Sequence, residues 1–158
     1  MMAIAVPLHV IAVVIWVGGM FFAHQCLRPV AAAQLEPPAR LTLWAGVFGR
    51  FFPWVWAAIV LVLATGLWMM FAVFGGFKGS ALYIHSMFAL GLVMMAIFMH
   101  VFFAPYRRLK RAVAAQDWPT GGKQLAQIRM LVGINTIIGL ITLAVGSGGR
   151  YLAMLSAG

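Results

Sequence analysis

Four runs of apolar residues, each about the 20 residues that a helix needs to cross a hydrocarbon core, constrain this chain more than any other feature. They run from about Ala3 to Leu27, Phe51 to Phe74, Ala81 to Phe103 and Ile128 to Val145. Between them lie short segments that carry nearly all the charge. Only 8% of the residues are charged, too few to cover a water-facing surface, so lipid is the solvent for most of the chain. The expected fold is all-α: a single integral membrane domain over residues 1–158, a four-helix up-down bundle. Nothing before Val6 supplies the positive stretch of a cleavable signal, so the first run reads as a retained helix.

Pro29 and Pro105 follow the first and third runs and are expected to end those helices. Gly75, Gly76 and Gly79 mark a turn between the second and third, and Gly146, Gly148 and Gly149 an end to the fourth. The stretch Ala31 to Val47 reads as a short helix lying at the interface.

Charge sets the expected orientation. Of eleven basic residues, Arg28, Arg40, Arg50, Arg107, Arg108, Lys110, Arg111, Lys123 and Arg129 fall in the first and third connections. That side is expected to be cytoplasmic, with both termini on the other side of a bacterial inner membrane. The net charge of +9 therefore reports topology rather than nucleic-acid binding. The single cysteine, Cys26, cannot form an intrachain disulfide.

Four histidines form the one arrangement that looks like chemistry. His9 and His24 sit in the first run, His85 and His100 in the third, and each pair is fifteen residues apart. The first and third helices of an up-down bundle run parallel, so His9 levels with His85 and His24 with His100. The levels are roughly 22 Å apart, with about 60° of angular offset along each helix. Ionisable side chains within spans are rare and usually functional. The layout resembles that of a dihaem cytochrome b, and it implies one or two haem b held by His9–His85 and His24–His100. Arg28, Arg107 and Arg150 would pair with propionates. On that reading the chain is a cytochrome passing electrons within or across the membrane. A quinone, superoxide or a periplasmic protein would each fit as its redox partner, and the reading is compatible with a membrane oxidoreductase and with a homo-oligomer. The alternative is a copper transport or resistance protein using the same histidines with Met95, Met99 or Cys26, since thioether and thiolate suit Cu(I). Met69, Met70 and Met94 join that methionine set, although methionine also simply fills apolar gaps. Asn135 is expected to bond a neighbouring helix, and Trp16 to pack.

The segment Leu8-His9-Val10-Ile11-Ala12-Val13-Val14-Ile15-Trp16-Val17-Gly18-Gly19-Met20-Phe21-Phe22 resembles the start of small proteins of the copper resistance D (CopD) family. His85 through Gly91, Phe98 through Pro105, and Ile128-Arg129 onward to Gly149-Arg150 resemble further segments of the same group. The resemblance implies a four-helix inner-membrane protein that handles copper beside a periplasmic partner. The opening also resembles the HemJ-type protoporphyrinogen oxidases, whose first-helix histidine ligates haem b and matches His9. The later lysine of that group has no counterpart here, so its activity does not carry over.

Overall fold

The computed structural model describes the backbone of residues 1–155 and the side chains of residues 1–149 and of Tyr151. Arg150, expected to meet a propionate, has its side chain outside the described residues. The described chain is helical throughout, without strands. Four helices are long and apolar enough to span a membrane: α1 (Met2–Gln34), α2 (Pro37–Ala72), α4 (Leu82–Ala114) and α5, which is described over Trp118–Leu155. A short α3 (Gly76–Gly79) sits in the α2–α4 turn.

These helices outrun the apolar spans. At 1.5 Å per residue, the 36 residues of α2 reach roughly 54 Å, well beyond a hydrocarbon core of about 30 Å. The excess lies at one end, where α1 meets α2 and α4 meets α5. The stretch expected as an interfacial helix is instead the end of α1 and the first turns of α2, broken only at Leu35–Glu36. The third connection shrinks to Ala115–Asp117. What looked like loops are two helical hairpins with a core of their own: Ala31, Leu41, Leu109, Ala112, Leu125 and Ile128 are all buried there.

Neither proline ends its helix. A wide π-helical turn, Ala23–Leu27, precedes Pro29, and another, Phe102–Tyr106, contains Pro105. Such a turn re-pairs the backbone by i→i+5 bonds, so the missing proline N–H and its ring are accommodated without a break. Nor does the glycine group at 146–149 end α5, which continues past it. The glycine turn at the opposite end does form: Gly75 and Gly76 adopt φ of +73° and +74°, left-handed backbone that other residues rarely enter.

The α4–α5 turn is closed by local hydrogen bonds. Asp117 N–H donates to Ala112 O at 2.9 Å, and Gln116 takes the left-handed position at φ +56°. Asp117 caps α5: its carboxylate accepts the Thr120 N–H at 3.1 Å. Hydrogen bonds from Thr120, and more weakly the charge of Lys123, hold this carboxyl below the usual carboxylate range. With the folded value the lower one, the stabilisation is complete above the unfolded value near pH 4, then disappears as pH falls through the folded value. Asp117→Asn keeps a capping acceptor that does not titrate. Its melting temperature should therefore fall less than the wild type's between about pH 5 and pH 2. Parallel curves for the two proteins would remove Asp117 as the cause.

In cross-section, α1 packs along α2 and α4 along α5; α5 also meets the middle of α1, and α2 the basic end of α4. Thus α1 and α4 occupy opposite corners, and they touch across the axis where the rings of Trp16 and Phe98 meet edge-on, centroids 6.3 Å apart. From there toward the basic end an aromatic column of Phe52, Phe48, Tyr106 and Trp44 fills the bundle.

Candidate functional site

The histidines divide by helix. On α1 both point into the bundle, though toward different neighbours. His9 lies against Gly66 of α2, and its Nδ1 is 2.8 Å from Thr65 Oγ1. The Thr65 hydroxyl donates to Leu61 O at 2.5 Å, so it must accept from His9 Nδ1–H. In this hydrogen bond Nδ1 carries the proton and Nε2 keeps its lone pair, the arrangement that orients imidazole ligands in metal sites. His24 faces Gly133 of α5, and its Nε2 accepts from Arg28 Nη1 at 3.3 Å. The π-helical turns Val14–Gly18 and Ala23–Leu27 unwind α1 between these histidines, and with that unwinding His9 faces α2 and His24 faces α5.

On α4 both histidines turn away from the axis. Counting 100° per residue from buried Met94, His85 lies about 180° round the helix and His100 roughly 120° to 160° from Met94 and Phe98 respectively. His85 Nε2–H donates to Phe77 O at 2.9 Å, and its ring stacks on that of Phe77. His100 is exposed. No hydrogen bond joins two histidines among the described residues, and no group of three His, Cys, Asp or Glu side chains gathers there. Arg107 is exposed and lies over the Phe103 ring at 5.9 Å. Cys26 is also exposed, on an unbroken helix, so it does not fold back to His24.

The structure gathers a different set in the middle of the bundle. Asn135 of α5 is buried and donates from Nδ2 to Met94 O at 3.3 Å and, more weakly, to Met20 Sδ at 3.7 Å. A cavity of about 170 Å³ lies beside it, lined by Trp16, Met20, Phe52, Phe98 and Asn135 among others. Two polar atoms of these lining residues, Trp16 Nε1 and Asn135 Oδ1, are buried without a hydrogen-bond partner. An unpaired buried acceptor is costly, so Asn135 Oδ1 calls for a ligand or water. Met94 and Met95 are buried, whereas Met99 faces outward. Met20 was missed in the sequence because it sits in an apolar run with nothing local to mark it, while Trp16 packs on Phe98 as expected. Asn135, a lone amide in such a run, was the available signal.

Replacing Asn135 by Leu should remove the α5 links to α1 and α4 and cost about 1 kcal/mol, in keeping with interhelical hydrogen bonds in membranes. Thermal unfolding in detergent measures it. A melting temperature unchanged or raised would show that the orphaned Oδ1 outweighs both bonds.

Four long apolar helices in one antiparallel bundle define a multi-pass membrane protein. The chain belongs to the CopD family: the sequence model of copper resistance protein D matches residues 45–148, more than half its length. The match runs from within α2 to within α5, so it takes in His85, Met94, His100 and Asn135 and leaves α1 outside. Comparison with curated proteins and with solved structures returns no match.

Proposed function

We propose that this is a copper-handling protein of the membrane that takes Cu(I) at the middle of its bundle. Membership of the copper resistance D family carries the reading. The buried thioether of Met20, 3.7 Å from Asn135 Nδ2, and the unpartnered Asn135 Oδ1 supply soft and neutral donors, and Met94, buried on α4 with its carbonyl bonded to Asn135, adds a second thioether nearby. A monovalent ion with neutral ligands carries less desolvation cost there than a divalent one. His9, with its Nδ1 tied to Thr65, is the donor at the end opposite the basic hairpins. By the positive-inside rule those hairpins are cytoplasmic, so His9 is the extracytoplasmic contact. The bis-histidine haem arrangement gains no support from helix faces that turn the α1 histidines inward and the α4 histidines outward.

Cells expressing the chain, compared with cells carrying an empty vector, should show changed copper content and copper tolerance, with manganese and zinc contents unaltered. The purified protein should lack the Soret band and reduced α and β bands of a low-spin haem. Unchanged copper content with stoichiometric haem would overturn the copper reading and restore the cytochrome.

A further inference from the structure

A second site lies at the basic end, apart from the mid-bundle donors. Between α1 and α5 is a cleft of about 340 Å³ lined by His24, Arg28, Arg129, Ala126, Met130 and Gly133, among others. Its polar wall is entirely basic, and no carboxylate lines it. The chain has only two acidic residues, and one of them, Asp117, is committed to capping α5.

Arg28 and Arg129 are both half-buried, and Arg40 stands within electrostatic reach of Arg129. Arg28 gives one N–H to His24 Nε2, which leaves its other donors unspent. Arg129 Nε is buried with no hydrogen-bond partner. Two half-buried guanidiniums from different helices repel one another, and among the described residues no carboxylate lines the cleft to offset that repulsion. Gly133 keeps the floor open, since a Cβ there would come within 3.0 Å of the His24 ring.

We propose that the cleft between α1 and α5 is a binding site for a phosphate-bearing anion, held by Arg28 and Arg129 with the His24 ring as its wall. Two guanidinium forks match the oxygens of a phosphate, and arginine is the residue suited to that geometry. The cleft lies where the apolar runs of α1 and α5 give way to the basic hairpins, a position in the sequence that suits contact with phospholipid headgroups. The same chemistry is offered by an anionic lipid headgroup and by free inorganic phosphate.

Native mass spectrometry of the full chain, released from vesicles of phosphatidylcholine with phosphatidylglycerol, tests the site. Wild type should retain phosphatidylglycerol in preference to phosphatidylcholine. Arg28→Gln and Arg129→Gln should each reduce that retention about tenfold, and Arg129→Lys should recover part of it. Arg108→Gln removes the same charge from an exposed position at the same end and should retain lipid as wild type does. Circular dichroism of each variant separates lost binding from lost fold. If millimolar inorganic phosphate displaces the lipid, the site takes phosphate in general; if it does not, the headgroup is the ligand. Either supports an anion site. Equal loss in Arg108→Gln and Arg129→Gln, or no preference in the wild type, would overturn it.

Discussion

Leucine in place of Gly149 should destabilise the bundle by about 2–3 kcal/mol, the upper part of the range for overpacking a tight contact. The seam between α4 and α5 is built on absent side chains. A Cβ on Gly149 would stand 2.5 Å from Tyr83 Cβ and 2.6 Å from its Cγ. Tyr83 Cβ is tied to the α4 backbone, so the conflict can be relieved only by moving the helices apart. Three and ten residues back along α5, Gly146 faces only the flexible end of Met87, with Cε at 2.8 Å, while Gly139 meets Val17 Cγ2 of α1 at 2.9 Å as well as Met94 Cε at 3.1 Å. Those methionine ends can rotate away. Within lipid no hydrophobic force holds helices together, so close backbone approach over small residues supplies much of the adhesion. Gly146→Ala should therefore cost under about 1 kcal/mol, well below Gly149→Leu. Thermal unfolding in one detergent ranks the two variants. Equal melting temperatures for Gly149→Leu and wild type would mean that the seam is looser than the geometry requires.

The second large effect concerns copper. Changing Met20 and Met94 together to Leu keeps volume and apolarity while deleting both thioethers, so the fold should survive with a loss of under about 1.5 kcal/mol at each position. Affinity for Cu(I), measured by competition with a coloured Cu(I) chelator, should fall at least tenfold in that double variant. Thr65→Val should act at His9 instead. It removes the acceptor that orients His9, and second-shell losses of this kind cost about 10- to 100-fold in affinity at the ligand they orient. If the double Leu variant binds Cu(I) as wild type does, the mid-bundle donors are not the site.

The number of spanning helices, their antiparallel order and the glycine turn at 75–79 were legible in the sequence, because lipid leaves few alternatives to long apolar helices. The basic hairpins were not. Polar residues between apolar runs read as loops, yet 107–114 is strongly amphipathic, with Leu109 and Ala112 packed inside, and that 3.6-residue pattern was there to be read. Pro29 and Pro105 misled for a different reason: a π-helical turn absorbs a proline, and no local residue pattern announces it. The same turns defeat the equal spacing of the histidines. Fifteen residues describe a fixed angle only on a regular α-helix, and α1 is not regular between His9 and His24. Spacing along two helices also says nothing about how each is rotated, and it is rotation that turns His85 and His100 away from the axis. Asn135 behaved as an amide in an apolar helix should, bonding to Met94 of α4.

Radiocopper movement into sealed proteoliposomes, with Cu(I) kept reduced outside, tests the central claim most directly. The account predicts saturable uptake by wild type, at least tenfold slower uptake by the Met20→Leu, Met94→Leu variant, and none by protein-free vesicles. Uptake indistinguishable between wild-type, variant and empty vesicles would contradict it.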